Sequence, residues 1–114
     1  MAIDRTHMRQ ILSNLVVNAY RYCSKGPAAV QIGAALRDDG RVALDVLDDG
    51  PGVPDNLRAQ IFEPFFTTHS KGTGLGLYIS RELAEANGAV LELCAGEPAG
   101  LPGAHFRLIG RVKP

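Results

Sequence analysis

The stretch FFTTHSKGTGLGL, residues 65–77, places three glycines at alternate positions, between a polar loop and an amphipathic run that predicts a helix. The glycines are Gly72, Gly74 and Gly76. Glycine lets a ligand approach the backbone closely, and the first turn of a helix offers unpaired N–H groups and a partial positive charge. The stretch therefore indicates an anion site that suits phosphate, although a tight turn or a close packing contact would use the same residues.

Two well-known glycine motifs fit this stretch poorly. A Walker A loop carries Lys and then Ser or Thr after its last glycine, whereas Lys71 precedes the first glycine here. A dinucleotide fingerprint needs its third glycine where Leu77 stands, and it follows a strand directly. Glu92 does lie about 20 residues further on, as that fingerprint requires. Glycine spacing and the missing strand therefore argue against both motifs.

The N-terminal segment predicts a long amphipathic helix, with an N-cap at Asp4 and an end at Ser24, followed by the breakers Lys25-Gly26-Pro27. Asn14 and Asn18 are four residues apart and so share one face of this helix, beside its apolar stripe. Asn is a mediocre helix former. The pair indicates either a shared ligand or two solvated amides at the margin of the stripe.

A β-hairpin is predicted next, from the alternating segments 28–36 and 41–48 with a turn at Asp38-Asp39-Gly40. Counting by twos places Asp48 on the same face as Val46, so its carboxylate points toward the interior at the end of a strand. Such a charge is unfavourable unless something there needs it. A carboxylate at a pocket mouth could accept a hydrogen bond from the exocyclic amine of adenine, with the flanking glycines allowing close approach.

The middle of the chain predicts a short helix at 56–61 after a cap at Asp55, and then an aromatic cluster at 61–66. We expect the three phenylalanines of this cluster to anchor the base of a loop rather than to stack on a ligand. Residues 67–71 are small and polar, which favours a lid. A second helix is expected from Gly74, with Asn87-Gly88 as its stop.

Two further strands, 89–94 and 104–109, complete an order that favours a two-layer α/β sandwich. Its sheet is expected to be mixed and mostly antiparallel, with the helices on one face. At 114 residues the chain fits one domain, residues 1–114, with a single core.

The composition excludes several classes of function. Formal net charge is zero, with 12 basic and 12 acidic residues, so no nucleic-acid or membrane partner is indicated. No apolar run reaches the ~18 residues of a spanning helix, which predicts a soluble, cytoplasmic domain of a parent protein that could itself be membrane-anchored. Cys23 and Cys94 are expected to be buried thiols. His7, His69 and His105 lack zinc-site spacing.

Four motifs together resemble the ATP-binding catalytic domain of bacterial sensor histidine kinases, within the gyrase, Hsp90 and MutL superfamily, whose ATP-binding fold is the Bergerat fold. Residues 14–22 (NLVVNAYRY) resemble the N box and residues 48–52 (DDGPG) the first glycine box. Residues 62–66 (FEPFF) resemble the F box and residues 72–77 (GTGLGL) the second glycine box. The wording is most similar to nitrogen-regulation and pilus-type sensor kinases.

The resemblance implies ATP and Mg²⁺ as ligands. Asp48 would bind the adenine amino group, Asn18 would ligate Mg²⁺, and Arg21 and Lys71 would neutralise phosphate oxygens. The implied nucleotide-binding residues are Asn14, Asn18, Arg21, Tyr22, Asp48, Gly50, Gly52, Val53, Lys71, Gly72, Thr73, Gly74, Leu75, Gly76 and Leu77. The implied catalytic residues among them are Asn14, Asn18, Arg21 and Lys71.

The resemblance also implies a phosphoryl transfer rather than ATP hydrolysis. Hydrolytic branches of the superfamily carry a water-activating Glu where Asn14 stands, and an amide cannot act as that base. The expected acceptor is a histidine on a separate dimerisation domain, absent from this sequence, with a response regulator as an indirect partner. The sequence departs from the family pattern in two places: Asp49 stands where the family usually has Asn, and the lid is short.

Two other functions stay open at this point. One is a free-standing serine kinase of the anti-sigma-factor type, and the other is a nucleotide-dependent interaction module without catalysis.

Overall fold

A computed structural model describes residues 2–24, 26, 29–66, 74–94 and 103–112. Within these ranges the elements are α1 (Arg5–Tyr22), β1 (Val30–Leu36), β2 (Val42–Asp48), α2 (Gly76–Ala86), β3 (Val90–Leu93) and β4 (His105–Gly110), with a 3-10 helix at Asp55–Leu57 between β2 and α2. Each matches a sequence prediction to within a few residues at its ends, except that the predicted helix at 56–61 is only this 3-10 turn.

The predicted capping residues mark the start of α1 and the end of α2, whereas α1 ends two residues earlier than predicted. The Asp4 carboxylate accepts a hydrogen bond from the His7 N–H at 3.0 Å, which caps α1. Helix α1 ends at Tyr22 rather than Ser24 because Cys23 already has extended backbone angles. Helix α2 ends before Gly88, whose φ of 68° is left-handed and favours glycine.

The four strands form one sheet in the order β1-β2-β4-β3, and all three neighbouring pairs are antiparallel. The hairpin between β1 and β2 turns at Gly40, with a φ of 84°, as the sequence predicts. A parallel pairing occurs in an isolated bridge between Ala2 and Arg111. Strand β1 forms one edge of the sheet, and its residues Ile32 and Leu36 are 61% and 78% exposed.

The core lies between the two helices and one face of the sheet. Ile11 and Leu15 of α1 are fully buried and belong to the same cluster as Val46 of β2 and Leu108 of β4. Burial of such side chains contributes about 1.5–3 kcal/mol each. The two-layer α/β sandwich with helices on one face of a largely antiparallel sheet is therefore confirmed.

Two predicted burials need correction. Phe62 and Phe66 pack against the core, but Phe65 is 73% exposed because its φ of 68° turns the chain away from the core. Cys23 is buried as predicted, whereas Cys94 is only partly buried, and both thiols are free. Neither described helix is long and apolar enough to cross a bilayer.

Candidate functional site

An open cavity of about 480 Å³ lies where α1, the start of α2 and the loop after β2 meet. Its lining combines polar groups from α1 and β2 with an apolar wall from the loop, α2 and β4. The predicted site residues that line it are Asn14, Asn18, Arg21, Tyr22, Asp48, Gly52, Val53, Gly74, Gly76 and Leu77. A mostly apolar pocket with a few convergent polar groups is the usual form of a small-molecule site.

The remaining predicted residues fall elsewhere. Gly50 and Leu75 do not line the cavity. Lys71, Gly72 and Thr73 lie outside the described residues, as does the predicted lid at 67–71.

Asp48 is the buried charged group of this cavity, with only 3% of its surface exposed. Its Oδ1 accepts hydrogen bonds from the backbone N–H groups of Gly50 at 2.8 Å and Ala104 at 3.3 Å. Burial raises the pKa of Asp48 above the usual 3.8, although these two N–H groups oppose the shift. Among the described residues, no cation pairs with this carboxylate and no hydrogen bond reaches its Oδ2. Oδ2 is thus the atom that remains available to a ligand.

Gly50 supports the site without lining it. A Cβ at this position would lie 2.4 Å from the backbone oxygen of Tyr22 and 3.0 Å from Oδ1 of Asp48. A side chain here would therefore push the end of α1 away from the end of β2. The predicted glycine is required by close backbone packing rather than by a positive φ.

The two asparagines of α1 behave differently. The amide nitrogen of Asn14 donates to Oγ of Ser80 at 3.0 Å and to the carbonyl of Gly76 at 3.3 Å, which braces α1 against the first turn of α2. Asn18 lies one turn further along the same wall, and no hydrogen bond occupies its amide among the described residues. The oxygen of Asn14 accepts a hydrogen bond from Nε2 of Gln10 at 3.4 Å, so Asn18 is the asparagine of this pair whose oxygen is left for a ligand.

The entry to α2 is held by a pair of left-handed residues. The N–H of Phe65 donates to the carbonyl of Gly74 at 2.8 Å, and a Cβ on Gly74 would lie 2.4 Å from the carbonyl carbon of Phe65. Gly74 has a φ of 77°, so both space and conformation require glycine there. This contact joins the chain at Phe65 to the chain at Gly74, just before α2, whose first residues Gly76 and Leu77 line the cavity.

Asp49, the residue that departs from the usual Asn, is not among the residues that line the cavity. Its carboxylate accepts hydrogen bonds from the N–H of Ser24 at 2.8 Å and the hydroxyl of Ser24 at 2.5 Å. These bonds from Ser24 lower the pKa of Asp49. Its charge is therefore engaged with the loop after α1.

Several lining residues were not predicted from the sequence. They are Val17, Pro51, Pro54, Leu57, Ile61, Phe66, Ala104 and Phe106. Most are apolar, and their sequence pattern is that of ordinary core residues; the aromatic cluster likewise predicts packing for Phe66. Ala104 immediately precedes β4 and Phe106 lies on it; both follow Asp48 by more than fifty residues, so no local pattern connects them to the site.

The chain belongs to a family of ATP-binding domains, because residues 3–110 match the family described as histidine kinase-, DNA gyrase B- and HSP90-like ATPase. Within this family its relatives are sensor histidine kinases. The chain is 46% identical over 101 residues to the sensor protein kinase PilS of Pseudomonas aeruginosa, covering 86% of this chain and 19% of that protein. It is 34% identical over 113 residues to the signal transduction histidine-protein kinase AtoS of Escherichia coli, covering 97% and 18%. The chain thus spans about a fifth of the length of these curated relatives.

Solved structures agree. The catalytic domain of histidine kinase ThkA has a TM-score of 0.80 and 33% identity, covering 98% of this chain and 71% of that one. Full-length ShkA in complex with AMPPNP has a TM-score of 0.75 and 36% identity, covering 91% of this chain and 21% of that one. The fold is therefore that of histidine kinase catalytic domains, and ShkA shows that a relative of this fold holds an ATP analogue.

Proposed function

We propose that this chain binds Mg-ATP in the cavity between α1 and α2 and transfers the γ-phosphoryl group to a histidine of a dimerisation domain in its parent kinase. The observation that carries the proposal is Asp48, a buried carboxylate with one oxygen held by backbone N–H groups and the other left for a ligand. A hydrogen-bond acceptor in an apolar cavity suits the exocyclic amine of adenine.

The apolar wall supports the placement of the base. Val53, Ile61 and Phe106 line the cavity together with Asp48, so a purine ring would be enclosed by apolar surface while its amino group meets the carboxylate. Tyr22, at the end of α1, also lines the cavity, and we expect its ring to lie against the base. Burial of the ring would exclude water and strengthen the hydrogen bond to Asp48.

The phosphates are assigned to the opposite end of the cavity, toward Asn18, Arg21 and the first turn of α2. Arg21 lines the cavity and is half-buried, so its guanidinium can neutralise phosphate oxygens. The N–H groups that begin α2 at Gly76 add a partial positive charge. Lys71 and the glycine-rich backbone from Gly72 to Gly74 are proposed to complete this end of the site.

Mg²⁺ fits the donor set at Asn18. The described residues contain no cluster of three His, Cys, Asp or Glu that could hold a metal. Mg²⁺ usually takes one or two protein oxygens and obtains the rest from phosphates and water, so the free amide oxygen of Asn18 is a sufficient protein ligand. When bound, the ion supplies charge neutralisation on the phosphates.

The transfer itself requires a nucleophile from another domain. A histidine nitrogen attacks the γ-phosphorus, the bond from phosphorus to the β,γ-bridging oxygen breaks, and ADP leaves with that electron pair while the imidazole proton passes to solvent. Asn14 is not a general base, and its amide is engaged with Ser80 and Gly76. Slow hydrolysis of ATP by the domain alone is therefore expected.

The metal assignment is tested with Asn18→Ala. Binding of ATP by the wild-type chain should weaken when Mg²⁺ is replaced by EDTA, whereas Asn18→Ala should bind equally in both, because the protein ligand is gone. Titration calorimetry measures both affinities. Ser13→Ala on the exposed face of α1 is the control and should keep the wild-type dependence. Full Mg²⁺ dependence in Asn18→Ala would refute the assignment.

The transfer is tested by mixing the chain with Mg²⁺, labelled ATP and a histidine-bearing dimerisation domain of a sensor kinase of the PilS type. An acid-labile phosphoprotein is expected, and it should vanish when the acceptor histidine is replaced by Gln. Acid-stable label on serine would favour the anti-sigma-factor-type kinase instead. Nucleotide binding without any transfer would favour an interaction module.

A further inference from the structure

A backbone segment far from Asp48 in sequence holds this carboxylate in place. The N–H of Gly103 donates to the backbone oxygen of Asp48 at 3.0 Å, and the N–H of Asp48 donates to the backbone oxygen of Ala104 at 3.1 Å. The N–H of Ala104 then donates to Oδ1 of Asp48 at 3.3 Å. Residues 103 and 104 therefore bind both the main chain and the side chain of Asp48.

Position 103 has no room for a side chain. A Cβ on Gly103 would lie 2.1 Å from Oδ1 of Asp48, 2.3 Å from its backbone oxygen and 2.7 Å from its carbonyl carbon. The carboxylate could move, but the backbone atoms belong to the end of a paired strand. The absence of a side chain at 103 is thus what allows the carboxylate to occupy its present orientation.

The two donors to Oδ1 decide which oxygen faces the cavity. Gly50 and Ala104 approach Oδ1 from two different segments, so rotation of the carboxylate would break both hydrogen bonds at once. Hydrogen bonds to a charged acceptor are stronger than those to a neutral acceptor, so losing both would be unfavourable. Asp48 is therefore fixed with Oδ2 as its free acceptor before any ligand arrives.

We propose that Gly103 and Ala104 are positioning residues that set the base selectivity of the nucleotide site, by fixing the free oxygen of Asp48 as an acceptor. The proposal rests on the proposed function. A fixed acceptor favours a purine with an amino group at C6 over one with an oxygen there, because two acceptors repel. Gly103 and Ala104 act through Asp48.

Gly103→Ala tests this with ATP and inosine triphosphate, which share the triphosphate and differ at C6. The wild-type chain should prefer ATP. Gly103→Ala should lose at least about tenfold in ATP affinity while its inosine triphosphate affinity changes little, so the ratio approaches one. Gly33→Ala is the matched control, because a Cβ there meets nothing within 4 Å, and it should keep the wild-type ratio.

The outcomes separate the two proposals. Failure of the wild-type chain to bind ATP would refute the proposed function itself. Wild-type binding with an unchanged ratio in Gly103→Ala, or an equal loss of both nucleotides, would overturn the positioning role alone.

If Gly103→Ala fails to fold, a measurement on the wild-type chain tests whether Ala104 holds the carboxylate of Asp48. The amide resonances of Gly50 and Ala104 should titrate together by NMR, with the midpoint of Asp48 above 3.8, because both N–H groups bind its Oδ1. The amide of Gly33 should stay constant. An Ala104 amide that does not follow this titration would contradict the proposal.

Discussion

Asp45 and Asp48 lie three residues apart on β2, project from opposite faces of the sheet, and have opposite electrostatic environments. Asp45 accepts hydrogen bonds from Nε2 of His105 at 2.5 Å and from Nε of Arg107 at 2.8 Å. The carboxylate of Asp48 accepts hydrogen bonds only from backbone N–H groups among the described residues. A carboxylate that side chains of its own fold already satisfy is structural, whereas one with a free oxygen in a cavity is available for recognition.

The pKa shifts follow the same division. Burial alone would raise the pKa of Asp45, but the hydrogen bonds from His105 and Arg107 outweigh it and hold the pKa below 3.8. Burial raises the pKa of Asp48 above 3.8, since no cation in the described part of the chain compensates it. Ionised Asp45 therefore stabilises the fold, and ionised Asp48 destabilises it in the absence of a ligand.

The largest expected effect is loss of ATP binding in Asp48→Asn, by more than about 100-fold, because an amide nitrogen would replace the free acceptor. Stability should be unchanged or higher, since the remaining oxygen still accepts from Gly50 and Ala104 and a buried charge is removed. Calorimetric titration and urea unfolding measure the two quantities. Near-wild-type affinity would remove Asp48 from the site.

Asp45→Asn should give the reverse result. We expect the free energy of unfolding to fall by about 1–2 kcal/mol, because the hydrogen bonds to Arg107 and the buried His105 lose their charged acceptor. Affinity for ATP, measured well below the unfolding temperature, should stay within about twofold, as Asp45 is outside the cavity. A large loss of affinity with unchanged stability would contradict this division of roles.

Lowering the pH should reveal the same difference between the two carboxylates, with a smaller effect than either substitution. ATP affinity should fall as the pH drops through the raised pKa of Asp48, above 3.8, because the protonated group is a poorer acceptor. The stabilisation from Asp45 is present above 3.8 and is lost only as the pH falls through its lowered pKa. Between these values the chain should be folded but bind ATP weakly. Circular dichroism measures folding across this range, and titration calorimetry, corrected for protonation of free ATP, measures affinity. Loss of folding and of ATP affinity at the same pH would refute the predicted order.

The sequence predicts those features of the site that depend on local periodicity. The alternation of β2 placed Asp48 beside Val46 on the interior face, and the spacing of Asn14 and Asn18 placed both on one wall. The contacts that distinguish these residues come from distant segments. Ser80 and Gly76 engage Asn14, while Gly103 and Ala104 hold Asp48, and neither contact leaves a local pattern.

Phe65 shows a second limit of predicting burial from amino-acid composition. An aromatic cluster predicts burial, but a single backbone angle of 68° directs Phe65 outward while Phe62 and Phe66 remain packed. Side-chain hydrophobicity does not indicate that angle, because Phe65 is held by a hydrogen bond to Gly74, nine residues further along the chain.

The free edge of β1 has a consequence for the colloidal behaviour of the isolated chain. Residues 30–36 (VQIGAAL) contain no charge and no proline, and Ile32 and Leu36 are exposed on a strand that pairs only with β2 among the described strands. Edge strands normally resist aggregation through charged side chains, bulges or covering segments, and β1 carries neither a charge nor a proline. In concentrated solutions the chains should therefore aggregate first through this strand. Ala34→Lys should raise the highest protein concentration that remains free of aggregates.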